Sequence, residues 1–499
     1  MNSLDLLLEG LTGVFQLNVL LILLMGIIAG ITIGSLPGLT ATMGVALILP
    51  VTFGMEPVTG ILLLIGVYFG AVYGGSITAI LINTPGTPSS AATAIDGYAM
   101  SKKGLAHKAL TVSTVSSAIG GILSVIVLIF IAPQLATFAL KFSAPETFAL
   151  AVFGISIISS IAGKSMVKGL IAGFIGLLIA TIGIDPIGGF PRFTFDNVNL
   201  SSGINLIPVM IGLFAASEAF RAMGSIFSTR KLTIVVEKVK LKWIEFKILI
   251  GTILRSGAIG TFIGMIPGAG GDIAAFVAYN EAKRFSKNKD GFGKGEMKGV
   301  AAPEAANNGV TGGAMIPLLT LGIPGDAVTA VLLGALMVQG IQPGPMLFEN
   351  NGPIVYTLFV GMLVANLMIL IVGLFGIRLF TKILLVPTTV LTPIILVLCV
   401  VGAYSLGNNY FDVLVMLISG IAGYFLMRYG FPASPIILGI ILGPLMESNF
   451  RRALVMSQGS FDIFITRPIT VVLLILAVIT LFSPLLTRKV KKPTTEGES

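Results

Sequence analysis

The sequence predicts an all-α polytopic membrane protein: two inverted-topology repeats of about five to six membrane segments each, with Pro-Gly-broken helices or hairpins, plus one extra C-terminal span. Three observations carry this prediction. The composition is strongly apolar, the basic residues are distributed one-sidedly, and two sets of Pro-Gly motifs recur in the same order.

Of the 499 residues, 55% are hydrophobic and only 11% charged, with mean hydropathy +1.00; an ordinary soluble domain carries about 25% charged residues. Apolar runs near the roughly 20 residues needed to span a bilayer recur, for example Ala109 to Ala132, Tyr356 to Phe375 and Ile469 to Leu486. No stretch shows the ten-residue alternation of a transmembrane barrel. The first apolar segment, Leu17 to Ile33, has no basic residue before it and continues into further membrane segments, so it reads as structure and not as a cleaved signal. Cys399 is the only cysteine and His107 the only histidine, which excludes an internal disulfide, a cysteine metal cluster and a histidine-rich metal site. No cofactor is expected beyond a coupling ion.

The net charge of +9 is explained by position, so it does not call for nucleic acid as a partner. No Lys or Arg precedes Lys102, and then Lys102, Lys103 and Lys108 arrive in one loop, which the positive-inside rule places in the cytoplasm. Counting spans from there puts 25 of the 31 basic residues inside. Lys141, Arg192, Arg451, Arg452 and Arg467 fall outside, and Arg255 lies within a hairpin over 248–276. The loop Asp185 to Gly203 is then periplasmic, as is the N-terminus, and the C-terminus is cytoplasmic. The Arg451/Arg452 pair fits least well, with a re-entrant Pro435 to Met446 segment as the alternative.

"GSLPG" at Gly34 to Gly38 recurs as "GMIPG" at Gly264 to Gly268, and "GGSITAILINTPG" at Gly74 to Gly86 recurs as "GGAMIPLLTLGIPG" at Gly312 to Gly325. The domains follow: a first transmembrane repeat over 1–225, a basic cytoplasmic linker over 226–247, and a second repeat with an additional C-terminal helix over 248–499. By the charge count, an odd number of crossings separates the copies, so they are inverted, and a substrate site is expected where they meet.

Pro-Gly breaks a helix, and broken backbone at membrane depth survives only where protein or a water-filled cavity satisfies it. In "TPGTPSSAAT", Thr87 suits an N-cap, Pro88 the first helical position, and Ser89 and Ser90 the first turn. A helix N-terminus there is an anion cradle without lysine or arginine. The candidate substrate-binding residues are Pro37, Gly38, Asn83, Thr84, Pro85, Gly86, Thr87, Ser89, Ser90, Pro267, Gly268, Asn307, Asn308, Pro324 and Gly325. Asp326 stands where Thr87 stands in the first copy and suits a cation; Asp326, Asn83 and Asn308 are the coupling-ion candidates. Glu304, close to where its segment enters the membrane, is a further ionisable candidate, and Arg255 is expected to pair with Glu281 or Asp272 or to meet an anion.

The stretches "GSLPGLTATMGVALILPVTFG", "INTPGTPSSAATAIDGYAMSKKG", "GMIPGAGGDIAAFVAYNEAKRFSK", "GVAAPEAANNGVTGGAMIPLLTLGIPGDAVTAVLLGAL" and "GIQPGPMLF" resemble the TctA family, the large membrane subunit of tripartite tricarboxylate transporters. The resemblance covers almost the whole chain. It implies secondary active uptake of citrate or a related di- or tricarboxylate across the bacterial inner membrane, coupled to sodium or a proton, by alternating access. The implied partners are a small membrane subunit (TctB-like) and a periplasmic solute-binding protein (TctC-like), besides the carboxylate and membrane lipid, and the loop Asp185 to Gly203 with Arg192 and Arg451/Arg452 is then the docking candidate for the binding protein. Not an enzyme is the expectation: "GAGGD" at Gly268 to Asp272 only superficially resembles the GxGD of intramembrane aspartyl proteases, and no partner Tyr-Asp pair exists. A passive anion channel is the other alternative.

Overall fold

The computed structural model describes residues 3–36, 39–156, 165–185, 187–223, 241–383 and 388–488. Pro37, Gly38, Lys164, Pro387, most of the predicted linker and the basic tail after Arg488 lie outside the described residues. Helices follow one another as α1 (Ser3–Val14), α2 (Leu17–Gly34), α3 (Ala41–Ile48), α4 (Pro57–Ile82), α5 (Ala91–Lys102), α6 (Ala106–Ala139), α7 (Ala144–Ser156), α8 (Met166–Ala180) and α9 (Leu206–Met223). The second half contains α10 (Trp243–Met265), α11 (Gly270–Phe285), α12 (Met297–Leu321), α13 (Ala327–Val338), α14 (Gly352–Ile383), α15 (Thr388–Gly407), α16 (Tyr410–Arg428), α17 (Ser434–Met456) and α18 (Pro468–Arg488). The one sheet among the described residues is the antiparallel pair β1 (Gly183–Ile184) and β2 (Pro191–Arg192), with Gly183 opposite Arg192.

Among the described residues α2, α4, α6, α9, α10, α14 and α16 are long and apolar enough to cross a membrane, and α7, α8, α13 and the Pro468–Leu481 part of α18 are shorter apolar segments. The chain is an all-α polytopic membrane protein. Its outward helices expose large apolar side chains such as Phe130, Phe174 and Phe375, the surface that hydrocarbon requires. The Pro435 to Met446 stretch runs straight through α17 and does not turn back, so Arg451 and Arg452 ride on the same helix.

By contacts the chain forms two compact units, one of Met1–Leu140 with Ile207–Tyr424 and one of Lys141–Leu206 with Phe425–Ser499. In the first unit α4 and α12 are buried along nearly their whole length. Glycines let neighbouring backbones approach them. A Cβ on Gly30 would lie 2.3 Å from the Val67 carbonyl oxygen and one on Gly34 would lie 2.2 Å from that of Ala71. The second half repeats the arrangement in the same register: a Cβ on Gly260 would meet the Ala306 oxygen at 2.0 Å and one on Gly264 the Val310 oxygen at 2.7 Å. Helix pairs in lipid gain little from hydrophobic burial, and small residues substitute close van der Waals contact for it.

Segments that the charge count assigns to one side lie together in this unit. Lys103 Nζ donates to the Lys294 carbonyl at 2.6 Å and Lys108 pairs with Glu245 at 2.5 Å. The charged loop after α11 is anchored, because Asp96 Oδ1 accepts from the backbone N–H groups of Gly293, Gly295 and Glu296 at 2.9, 2.7 and 2.8 Å while Tyr279 donates to Oδ2 at 2.8 Å. In the second unit Asp185, 1% exposed, accepts from Ile187 and Gly188 N–H at 2.8 and 2.6 Å and from Arg451 at 2.9 Å. Those backbone bonds and Arg451 hold its carboxyl down to about 2. Arg192 binds Glu447 at 2.7 Å.

Candidate functional site

The first Pro-Gly site follows from how α4 ends. Asn83 takes the left-handed conformation at φ 56° and closes the helix. Gly86 then donates its N–H to the Gly75 carbonyl at 3.1 Å, so close to α2 that a Cβ would lie 2.1 Å from the Gly34 oxygen. Only glycine fits this crossing. Thr87 is extended, Pro88–Ser90 form one 3-10 turn leading into α5, and Ser90 Oγ donates to the Thr87 carbonyl at 2.8 Å while accepting the Thr87 N–H at 3.4 Å. Thr87, Ser89 and Ser90 are buried; Asn83 and Thr84 stand on the exposed side of the break.

The second site is built alike. Gly322, at φ 69°, closes α12, and Gly268, between α10 and α11, donates its N–H to the Gly325 carbonyl at 2.7 Å. Pro267-Gly268 and Pro324-Gly325 therefore meet. Asp326 is the N-cap of α13: Oδ1 accepts the Thr329 N–H at 2.8 Å, and Oδ2 accepts the Tyr68 hydroxyl of α4 at 2.7 Å. Asn308 donates back to the Glu304 carbonyl of its own helix at 3.1 Å.

The two halves cross at Gly271, in the first turn of α11. A Cβ there would come within 2.6 Å of Asn307 Oδ1 and 3.2 Å of the Ser89 Cβ. Two helix beginnings, those of α5 and α11, thus abut beside the Asn307 side chain. Asn307 is 2% exposed, and its amide Nδ2 has no hydrogen-bond partner. First-turn N–H groups of α11 have no acceptor inside their own helix, whereas those leading into α5 are taken up by its 3-10 turn, Ser90 N–H by the Thr87 carbonyl and Ala91 N–H by that of Pro88; the place combines the α11 donors with two positive dipole ends, without a lysine or arginine. Asp272 is exposed and turns toward Gly270.

One turn away on α12 is Glu304, with no exposed surface. Oε1 accepts from Ser76 of α4 and Thr93 of α5, both at 2.5 Å, and Oε2 from Ser113 and Ser117 of α6 at 2.9 and 3.0 Å. Among the described residues it has no ion pair. Glu304 lies within the helix, two turns beyond Met297, and not where the segment begins. Ser76, Thr93, Ser113, Ser117 and Tyr68 were not legible as site residues. The one available signal was the hydroxyl-rich run "TVSTVSSA", Thr111 to Ala118, in an otherwise apolar helix, with Ser113 and Ser117 four residues apart on one face. Arg255 forms no ion pair with Glu281 or Asp272; its guanidinium lies 4.7 Å over the Phe285 ring. Arg192 and Arg451, read as docking charges, are engaged with Asp185 and Glu447, and the same loop presents Phe195 and Val198 outward.

Residues 20–438 match the family described as the tripartite tricarboxylate transporter TctA family. An uncharacterized 52.8 kDa protein of Agrobacterium vitis, named for the TAR-I ttuC' 3' region, is 41% identical over 452 residues, covering 90% of this chain and 89% of its own. Another uncharacterized A. vitis protein, from the TAR-II ttuC' 3' region, is 41% identical over 227 residues, 46% of this chain and 94% of its own. A match over most of the chain, on a polytopic helical membrane protein, establishes that this chain belongs to the tripartite tricarboxylate transporter TctA family and has a transporter's role.

Proposed function

We propose that the protein is the permease of a tripartite system, carrying a di- or tricarboxylate such as citrate across the bacterial inner membrane by cation-coupled alternating access. The observation that supports this reading most directly is the abutment of the α5 and α11 beginnings at Gly271 beside the unpartnered Asn307 amide. One carboxylate of the substrate accepts from Asn307 and from first-turn N–H groups of α11, each such charged hydrogen bond contributing roughly 1.5–3 kcal/mol. The matched glycine contacts of α2 on α4 and α10 on α12 support reading the halves as repeats, inverted as the charge count requires, with the Pro-Gly breaks as the points where they flex. A small membrane subunit completes the assembly. A periplasmic binding protein delivers substrate to the face bearing the Asp185 to Gly203 loop.

Uptake by proteoliposomes holding the protein with both partner subunits tests the reading. A panel of labelled carboxylates, with and without a sodium gradient, should show accumulation above the external concentration, and Asn307→Ala should raise the substrate constant with little change in expression. Equilibration without accumulation would leave a passive channel instead.

A further inference from the structure

We propose that Glu304, with the hydroxyls of Ser76, Thr93, Ser113 and Ser117, is a sodium site, and that it is the site through which the cation is coupled to the carboxylate. The second clause rests on the function proposed above; the first stands alone.

A carboxylate out of water is ordinarily matched by a positive charge or a metal ion. Glu304 is fully buried, its hydrogen bonds are satisfied by four hydroxyls, and its charge is matched by none of them. The missing partner is a single positive charge. One carboxylate with neutral hydroxyls suits a monovalent ion; no group of three or more His, Cys, Asp or Glu that would hold a metal ion occurs among the described residues, and calcium usually takes several carboxylate or carbonyl ligands. Here six oxygens, two carboxylate and four hydroxyl, converge from α4, α5, α6 and α12. Each hydroxyl has two lone pairs besides its proton, so rotating it exchanges donation to the carboxylate for donation of a lone pair to an ion. All six are hard oxygen donors, the kind that a small alkali cation such as sodium takes.

The placement joins the ion to the anion pocket through each of three elements. Glu304 and Asn307 are one turn apart on α12, about 4.5 Å along its axis. Thr93, on α5, is four residues beyond Ser89 of the 3-10 turn that leads into it. Ser76 follows Gly75, whose carbonyl holds Gly86. An ion drawn to Glu304 pulls α4, α5 and α6 onto α12 and so orders the α5 beginning and Asn307, the groups the carboxylate needs; the two ligands therefore raise one another's affinity by the same factor.

Binding of radioactive sodium to the purified full-length protein, measured without carboxylate, tests the site independently of transport. Wild type is expected to bind saturably near one ion per chain, and Glu304→Gln, which keeps the shape and removes the charge, should abolish binding. Thr93→Val should weaken it at least tenfold and Thr93→Ser restore it, which keeps the site testable if Glu304→Gln fails to fold. Adding the transported carboxylate should tighten sodium binding, and sodium the carboxylate, equally. Unchanged sodium affinity in both Glu304→Gln and Thr93→Val would overturn the site. Absence of sodium binding to wild type, with uptake driven by a proton gradient and lost in Glu304→Gln, would overturn sodium in favour of a proton. Saturable sodium binding lost in Glu304→Gln, with no carboxylate transported, would uphold the site and defeat the functional reading.

Discussion

The Tyr68 hydroxyl of α4 donates to Asp326 Oδ2 at 2.7 Å, across 258 residues of sequence, while the other oxygen of Asp326 caps α13 through the Thr329 N–H. Tyr68 and Asn307 hold matching positions on α4 and α12, in the register set by Gly34 with Ala71 and Gly264 with Val310. Each lies at the beginning of another helix, Tyr68 at that of α13 in the opposite half and Asn307 at that of α11 in its own, where Ser89 of the first half also abuts. Tyr68 finds a carboxylate and is satisfied; Asn307 finds Ser89 and Gly271, and its amide is left free. Tyr68→Phe should therefore lower stability by about 1.5–3 kcal/mol, the range for a hydrogen bond to a charged group. Thermal unfolding of the purified protein measures it, and the sodium dependence of uptake should stay unchanged.

The glycine stripes predict a graded steric series. Gly34→Ala places a Cβ 2.2 Å from the Ala71 oxygen, and Gly260→Ala one 2.0 Å from that of Ala306, whereas Gly251→Ala on α10 meets nothing within 4 Å. Overpacking of this kind costs about 1–3 kcal/mol or more. Melting temperatures should fall in the first two variants and hold in the third.

Asp96 is the anchor of the loop between α11 and α12. Asp96→Ala leaves three backbone N–H groups and the Tyr279 hydroxyl without their acceptor, and the loop should detach while the spans persist. Trypsin should then cut faster at Lys287, Lys289 or Lys294 than in wild type. Equal cleavage rates would mean that the anchor is not what holds the loop.

Asp185 sets a pH window for the β1–β2 loop. Its folded-state pKa is lowered from 3.8 to about 2, so its contribution is fully present above the unfolded value and is lost as pH falls through the folded one. Hydrogen exchange of residues 187–203 should be flat from pH 7 to 4, once corrected for intrinsic rates, and show loop opening near pH 2. Asp185→Asn should open the loop at neutral pH and remove the acid transition.

Membrane residence, the helical class and the Pro-Gly breaks were all legible in the sequence, because each depends on local properties. Hydropathy over one span length, glycine's access to left-handed φ and proline's missing N–H act within a few residues. Thr87 as a cap and Asp326 as its counterpart belong to the same class. What only tertiary structure decided is which polar side chains converge. Glu304 and Asn307 sit three residues apart in one motif, yet one is enclosed by hydroxyls from α4, α5 and α6 and the other meets the beginnings of α5 and α11. Asp326, which by charge alone suits an ion, is taken up by Tyr68 and its own helix. Those assignments depend on backbones brought together by glycine contacts between helices up to hundreds of residues apart, and a side chain's burial and partners are set by that packing and not by its neighbours in the chain.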